Sequence, residues 1–332
     1  GHMADQTLSY RLAGTPKQLN HLPVVAHALR NLGLAKMIDE RVPPHEDREL
    51  SVGRCVEALI LCILLGSHAL SRVAETLESY DLQFLFGEDF EAHKLHDDRL
   101  GRALDSLFKC GLGELNTASI LEAIRAYKLR TSVLHFDTTS VSVYGDYSMS
   151  CSTDPEDPNS SPHMTYGFSM DHRPDLKQLL YGLTVTDDGF VPLLGRFTDG
   201  NRSDSKENHF NLTRVAQTMP NPSKVLVVAD SKLFSGANLQ NAMDHGLNVL
   251  TLLPKTVGIW DTTFGLLKKQ LISAPILREV VDIIEDEDEA VETVTDNWRG
   301  LSTEVRYQWT DEEKERHEID LRALVVYSTS LE

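Results

Sequence analysis

The run Val225-Leu-Val-Val-Ala229 is apolar at every position and ends in a carboxylate, Asp230. An unbroken apolar run reads as a strand covered on both faces, the habit of α/β sheets rather than of half-solvated antiparallel ones. A second carboxylate, Asp137, interrupts the strand-like stretch Leu134-His-Phe-Asp-Thr-Thr-Ser-Val-Ser-Val-Tyr-Gly145. A charge at a strand end is not held in the core. In open α/β sheets ligands gather in the crevice beyond the strand ends, so the two aspartates are expected to converge there. Carboxylate oxygens beside water and phosphate suit Mg²⁺ or Mn²⁺. Asp is also a common turn former and helix cap, and spacing alone leaves that structural reading of each aspartate open.

The chain of 332 residues exceeds what one core usually accommodates, so two or three domains are expected. Its apolar fraction of 41% is that of a globular protein. With no apolar run near the length of a membrane span and no secretory signal, a soluble, cytoplasmic protein is expected. Cys55, Cys62, Cys110 and Cys151 have no paired metal-ligand spacing and read as reduced core thiols. Gly1-His2-Met3 looks like a tag remnant and is set apart from the fold.

Residues 4–130 read as a helical domain. Ser51 can cap a helix in which Val52, Cys55, Val56, Leu59, Cys62 and Ile63 recur at helical spacing. Further helices are expected over residues 23–38, 70–80, 97–110 and 116–127. Binding of DNA ends, dimerisation and plain packing all remain open for this domain, since no compact basic recognition helix stands out.

Residues 131–254 mix strands and helices. Strands are expected over 133–138, 179–186 and 190–197, the last two joined by the hairpin signal Asp187-Asp-Gly189. Asp204, with Glu207 three residues on, reads as the cap of a helix stopped by Pro220. The strand at Val225, a helix over 235–245 closed by Gly246, and a strand over 248–253 come next. In residues 255–332 strands are expected over 291–295, 305–309 and 321–327, divided by acidic stretches such as Glu285-Asp-Glu-Asp-Glu289, which reads as a solvated loop.

Two further strings lie between the aspartates, Tyr166-Gly-Phe-Ser-Met-Asp-His-Arg-Pro-Asp-Leu-Lys-Gln178 and Gly200-Asn-Arg-Ser-Asp204. With Asp137 and Asp230 they resemble bacterial insertion-sequence transposases of the DDE type, in the subgroup with a β-rich insertion in an RNase H-like core. The likeness runs from about Leu8 to the last residue. It implies an α/β fold: an RNase H-like mixed sheet with an N-terminal helical domain and a partial C-terminal β-rich insertion, residues 255–332. By the same resemblance Asp137 and Asp230 are catalytic metal ligands.

The family's third acidic ligand, usually Glu, follows a Tyr and an Arg and precedes a Lys on one helix. That motif appears nowhere before Glu332. Either the chain is cut short before the third acidic residue or its owner has lost the catalytic helix.

The resemblance implies two divalent cations, Mg²⁺ or Mn²⁺, about 3.5–4 Å apart, and phosphoryl transfer at DNA ends without a covalent protein nucleophile. Arg173 and Lys177 are candidate DNA-phosphate contacts, with Asp171 and Asp175 holding them. Alternatively Pro174 marks a turn and Asp175 caps the element after it. Met170 stands where the family commonly has a basic residue, and His172 has no assignable partner.

Implied partners are the element's terminal inverted repeats, target DNA and a second copy of the chain, with no membrane. A catalytically inactive, DNA-binding or dimerising regulator is the other reading, and this chain by itself is expected to lack efficient cleavage and joining. Charge argues against DNA, because 32 basic against 50 acidic residues leave a formal −18. Residues 255–332 carry 9 basic and 18 acidic residues, half of that excess, so a basic surface must be local.

Overall fold

The computed structural model describes residues 16–43, 49–67, 69–87, 90–145, 161–167, 173–271, 276–285 and 291–328. Gly1-His2-Met3, Cys151, Met170, Asp171, His172 and the acidic residues 286–289 lie outside the described residues. The chain divides into two compact units, the first holding the helices of residues 22–127 and the second beginning at Thr131.

The first unit contains α1 (Leu22–Leu32), α2 (Leu34–Asp39), α3 (Val52–Leu64), α4 (Val73–Glu78), α5 (Leu82–Phe86), α6 (Asp97–Lys109) and α7 (Leu112–Tyr127). Ser51 caps α3 as its sequence suggests, its hydroxyl accepting the Arg54 N–H. Val52, Cys55, Ala58, Leu61 and Cys62 recur on one face of α3 and are buried with Leu22, Leu77, Leu95 and Leu100. The single helix expected over 23–38 is instead broken at Gly33, whose left-handed φ of 61° ends α1. Over 70–80 the chain makes a 3₁₀ turn, Leu70–Arg72, before the short α4.

The second unit contains β1 (Val133–Val143), β2 (Lys177–Thr186), β3 (Pro192–Asp199), α8 (Asp204–Thr218), β4 (Leu226–Ala229), α9 (Gly236–Asp244), β5 (Asn248–Thr251), α10 (Gly258–Leu271), β6 (Ile276–Glu285), β7 (Val291–Thr310) and β8 (Arg316–Ser328). The first five strands form a mixed sheet in the order β3-β2-β1-β4-β5. β1, β2 and β3 are antiparallel neighbours, while β4 and β5 run parallel to β1. This is the strand order of an RNase H-like core.

One face of the sheet packs under α8. Leu134, Phe136, Leu180, Thr184 and Val227 are buried there, and Thr184 Oγ1 donates to Asn211 Oδ1 on α8 at 2.6 Å. The other face carries His135, Asp137, Val228 and Leu250 and is more open, Leu250 being 51% exposed.

Three local expectations change. The two strands expected over 291–295 and 305–309 are one strand, β7, because its first half pairs with β6 and its second half with β8. Residues 258–271 form α10, where no helix was expected. The cap of α8 is Ser203, whose hydroxyl accepts the Lys206 N–H, and Asp204 is the first helical residue.

Candidate divalent-cation site at the ends of two strands

In the parallel β1–β4 pair Leu134 partners Val227 and Phe136 partners Ala229. Asp137 and Asp230 are the next residues on each strand, so the register carries them side by side on chains about 4.8 Å apart. β4 ends there. Asp230 caps the 3₁₀ turn Ser231–Leu233, with Oδ1 accepting the Lys232 N–H at 3.0 Å. Its carbonyl accepts the Thr251 hydroxyl from the end of β5. Asp137 Oδ1 accepts the N–H of Thr138 at 2.8 Å.

The turn between β3 and α8 brings a third carboxylate. Gly200 backs onto β2 so closely that a Cβ there would stand 2.0 Å from the Gln178 carbonyl oxygen, and Gln178 Nε2 donates to the Gly200 carbonyl at 2.7 Å. Arg202 then turns inward to Glu207, which is 2% exposed and also meets Arg196 at 3.5 Å. Arg196 in turn lies 3.6 Å from the centroid of the Phe210 ring. With Ser203 as cap, the Asp204 carboxylate is released from capping, and its Oδ1 accepts the Thr138 hydroxyl at 2.9 Å. Asp204 was legible only as part of the Gly200 string, where its cap-like position hid it.

Burial pushes the Asp230 carboxyl above the usual carboxylate range, and the charges of Asp137 and Asp204 push it the same way, against the Lys232 N–H and ammonium. Among the described residues no Lys, Arg or His forms an ion pair with Asp137, Asp204 or Asp230. Glu207, by contrast, has two arginines.

The donor set is all oxygen, which fits a hard divalent cation such as Mg²⁺ or Mn²⁺. The Asn208 amide, one helical turn after Asp204, adds an oxygen acceptor. The residue is 2% exposed, its Nδ2 donates to the Asp204 carbonyl at 3.0 Å, and its Oδ1 has no hydrogen-bond partner among the described residues. Tighter clusters, with ligand atoms all within 4.8 Å, occur elsewhere, at His96-Asp97-Asp98 and at Asp311, Glu315 and His317. The second of these is a hairpin turn already closed on itself, Asp311 accepting from His317 Nε2 at 2.7 Å and from the Glu315 N–H at 2.8 Å.

Arg173 makes a two-pronged pair with Asp175, at 2.8 and 2.7 Å. Asp175 thus holds the guanidinium, Pro174 lies in a turn as its residue type suggests, and β2 begins at Lys177. Lys177 partners Val143, six residues along β1 from Asp137. At about 3.4 Å per residue that is roughly 20 Å from the aspartates, so the sheet does not bring Lys177 to them.

A family model described as a domain of unknown function, DUF4277, matches residues 15–121. No curated protein matches the chain. Among solved structures, a piggyBac transposase synaptic complex with hairpin DNA is similar at a TM-score of 0.39 and 10% identity, over 90% of this chain. The chain spans 60% of that protein's length. A Mos1 mariner paired-end complex with Mn is similar at a TM-score of 0.24 and 11% identity, over 69% of this chain and 65% of that one. A pre-cleavage Mos1 transpososome has a TM-score of 0.23 and 10% identity, over 63% and 61%. No helix among the described residues is long and apolar enough to cross a membrane.

Proposed function

We propose that this chain carries the cation-binding core of a DDE-type DNA transposase of the insertion-sequence kind, acting on the ends of its element and on target DNA. The observation that carries the reading is the register of β1 against β4, which sets Asp137 beside Asp230 with no cationic side chain paired to either among the described residues. Two like charges held together in this way are costly unless a counter-ion joins them. The fold lends fitting context, because ligands of such sheets bind beyond the strand ends.

In this reading Asp137 and Asp230 hold Mg²⁺ or Mn²⁺ through carboxylate oxygens. Divalent ions held there would supply the lowered pKa of the attacking water and charge stabilisation of the leaving 3′ oxygen of the cleaved strand. The Thr138 N–H orients Asp137, and the 3₁₀ turn after β4 orients Asp230, so both carboxylates are set before DNA arrives. Water is the nucleophile in cleavage and the freed 3′-hydroxyl in joining, so no side chain forms a bond to phosphorus. Arg173 and Lys177 are assigned to DNA phosphate away from the carboxylates, and a second copy of the chain to the second DNA end.

Titration calorimetry with Mn²⁺ on this chain, beside Asp137→Asn and Asp230→Asn variants checked for folding, tests the reading. Saturable binding to the parent that both variants lose supports it. A parent that takes up no Mn²⁺, or variants that bind as the parent does, would count against it.

A further inference from the structure

Thr138 is held between two carboxylates that come from different parts of the chain. Strand alternation turns its side chain to the α8 face and that of Asp137 to the opposite face. Its N–H closes on Asp137 Oδ1 at 2.8 Å, and its hydroxyl closes on Asp204 Oδ1 at 2.9 Å. One residue thereby fixes the orientation of the first aspartate and the location of Asp204.

We propose that Asp204 is a further carboxylate of the cation site, held in place by the Thr138 hydroxyl; the inference rests on the metal-dependent reading above. Two observations support it. Asp204 makes no ion pair among the described residues, although it lies in the same turn as Arg202, which is committed to Glu207. Beside it, the buried Asn208 Oδ1 has no donor among the described residues, and buried acceptors are rarely left so. Water on a hydrated divalent ion is such a donor, and Mg²⁺ in particular keeps several of its waters.

The test separates charge from hydrogen bonding. Asp204→Asn keeps an oxygen for the Thr138 hydroxyl and removes the charge, whereas Thr138→Val keeps the charge and removes the hydroxyl. Mn²⁺ affinity is measured calorimetrically on the full chain for the parent, both variants, Thr138→Ser and Asp137→Asn, with metal-free melting of each as the control for folding. The expected result is a loss of about tenfold or more in affinity for Asp204→Asn, and about tenfold for Thr138→Val, restored by Thr138→Ser. Parent-like affinity in a folded Asp204→Asn, with binding lost in Asp137→Asn, overturns the inference and leaves the metal reading standing. If Asp204→Asn does not fold, parent-like affinity in Thr138→Val overturns it instead. A parent that binds no Mn²⁺ overturns the metal reading and this inference with it.

Discussion

Asp137 and Asp230 are neighbours across the parallel β1–β4 pair, each one residue past the Phe136 and Ala229 partnership. Burial of the Asp230 carboxyl, with the charges of Asp137 and Asp204 acting the same way, disfavours its ionised form in the metal-free protein, and that cost has a pH signature.

The folded-state pKa of Asp230 is raised, so between its unfolded value and its folded value the native state holds more protons than the unfolded one. Stability therefore falls as pH rises through that window. In metal-free protein, Asp230→Asn should raise the melting temperature at pH 7, and the gain should fade below the ordinary carboxyl value of 3.8. A melting temperature that drops at pH 7 would mean that the carboxylate stabilises the turn after β4 more than its neighbours oppose it. The Asn side chain can still accept the Lys232 N–H, so the comparison isolates charge.

Divalent metal should reverse that cost. At Mn²⁺ one hundred times the dissociation constant, a single site stabilises the native state by about 2.7 kcal/mol. Melting scans with Mn²⁺ and then excess chelator should show an upward shift in the parent that chelation removes and that Asp137→Asn lacks. An equal shift in that variant would place the ion elsewhere, with the turn at Asp311, Glu315 and His317 as the next location to test.

Glu207 should be among the least replaceable residues of the second unit. It is 2% exposed and faces both Arg202 and Arg196, so Glu207→Ala removes a buried carboxylate that two guanidinium groups share. A loss of about 3–5 kcal/mol in urea unfolding is expected. A loss below about 1 kcal/mol would show that water reaches the cluster and screens it, the regime of exposed ion pairs.

Gly236 should tolerate no side chain. At the start of α9 a Cβ would stand 2.2 Å from Trp309 Cδ1, where the β7–β8 hairpin lies against the helix and Tyr307 meets the Phe234 ring at 5.0 Å. Gly236→Val is expected to cost about 1–3 kcal/mol by overpacking, and pairing it with Trp309→Ala should recover part of that loss. Strictly additive losses in the double variant would mean the two residues do not touch.

Ser203→Ala should destabilise by about 1 kcal/mol, the usual value for an N-cap. Asp204→Ala, read by the same denaturation, should not lose a cap, because Ser203 supplies it. Equal capping losses at both positions would move the cap back to where sequence pattern alone placed it.

Much of the core could be read from the chain alone. An apolar run such as 225–229 has one stable setting, inside a sheet, and the period of α3 leaves one face to bury, so Cys55 and Cys62 fall in the core as expected. The strand-end aspartates followed from the same logic, since a charge closing such a run has to leave the core. Local signals were weaker where two residues competed for one job. Ser203 and Asp204 are both good caps, and the tie was broken by the Thr138 hydroxyl, 66 positions away in the chain. Likewise β7 shows no single period over its 20 residues, because it answers to β6 in one half and β8 in the other. Sequence determined which segments had to be buried and where charge had to emerge, because those depend on composition and period within a few residues. Only the tertiary structure decided that Asp204 meets the Thr138 hydroxyl next to Asp137, because that meeting depends on strand register and on how a helix sits over a sheet, which contacts between distant residues set.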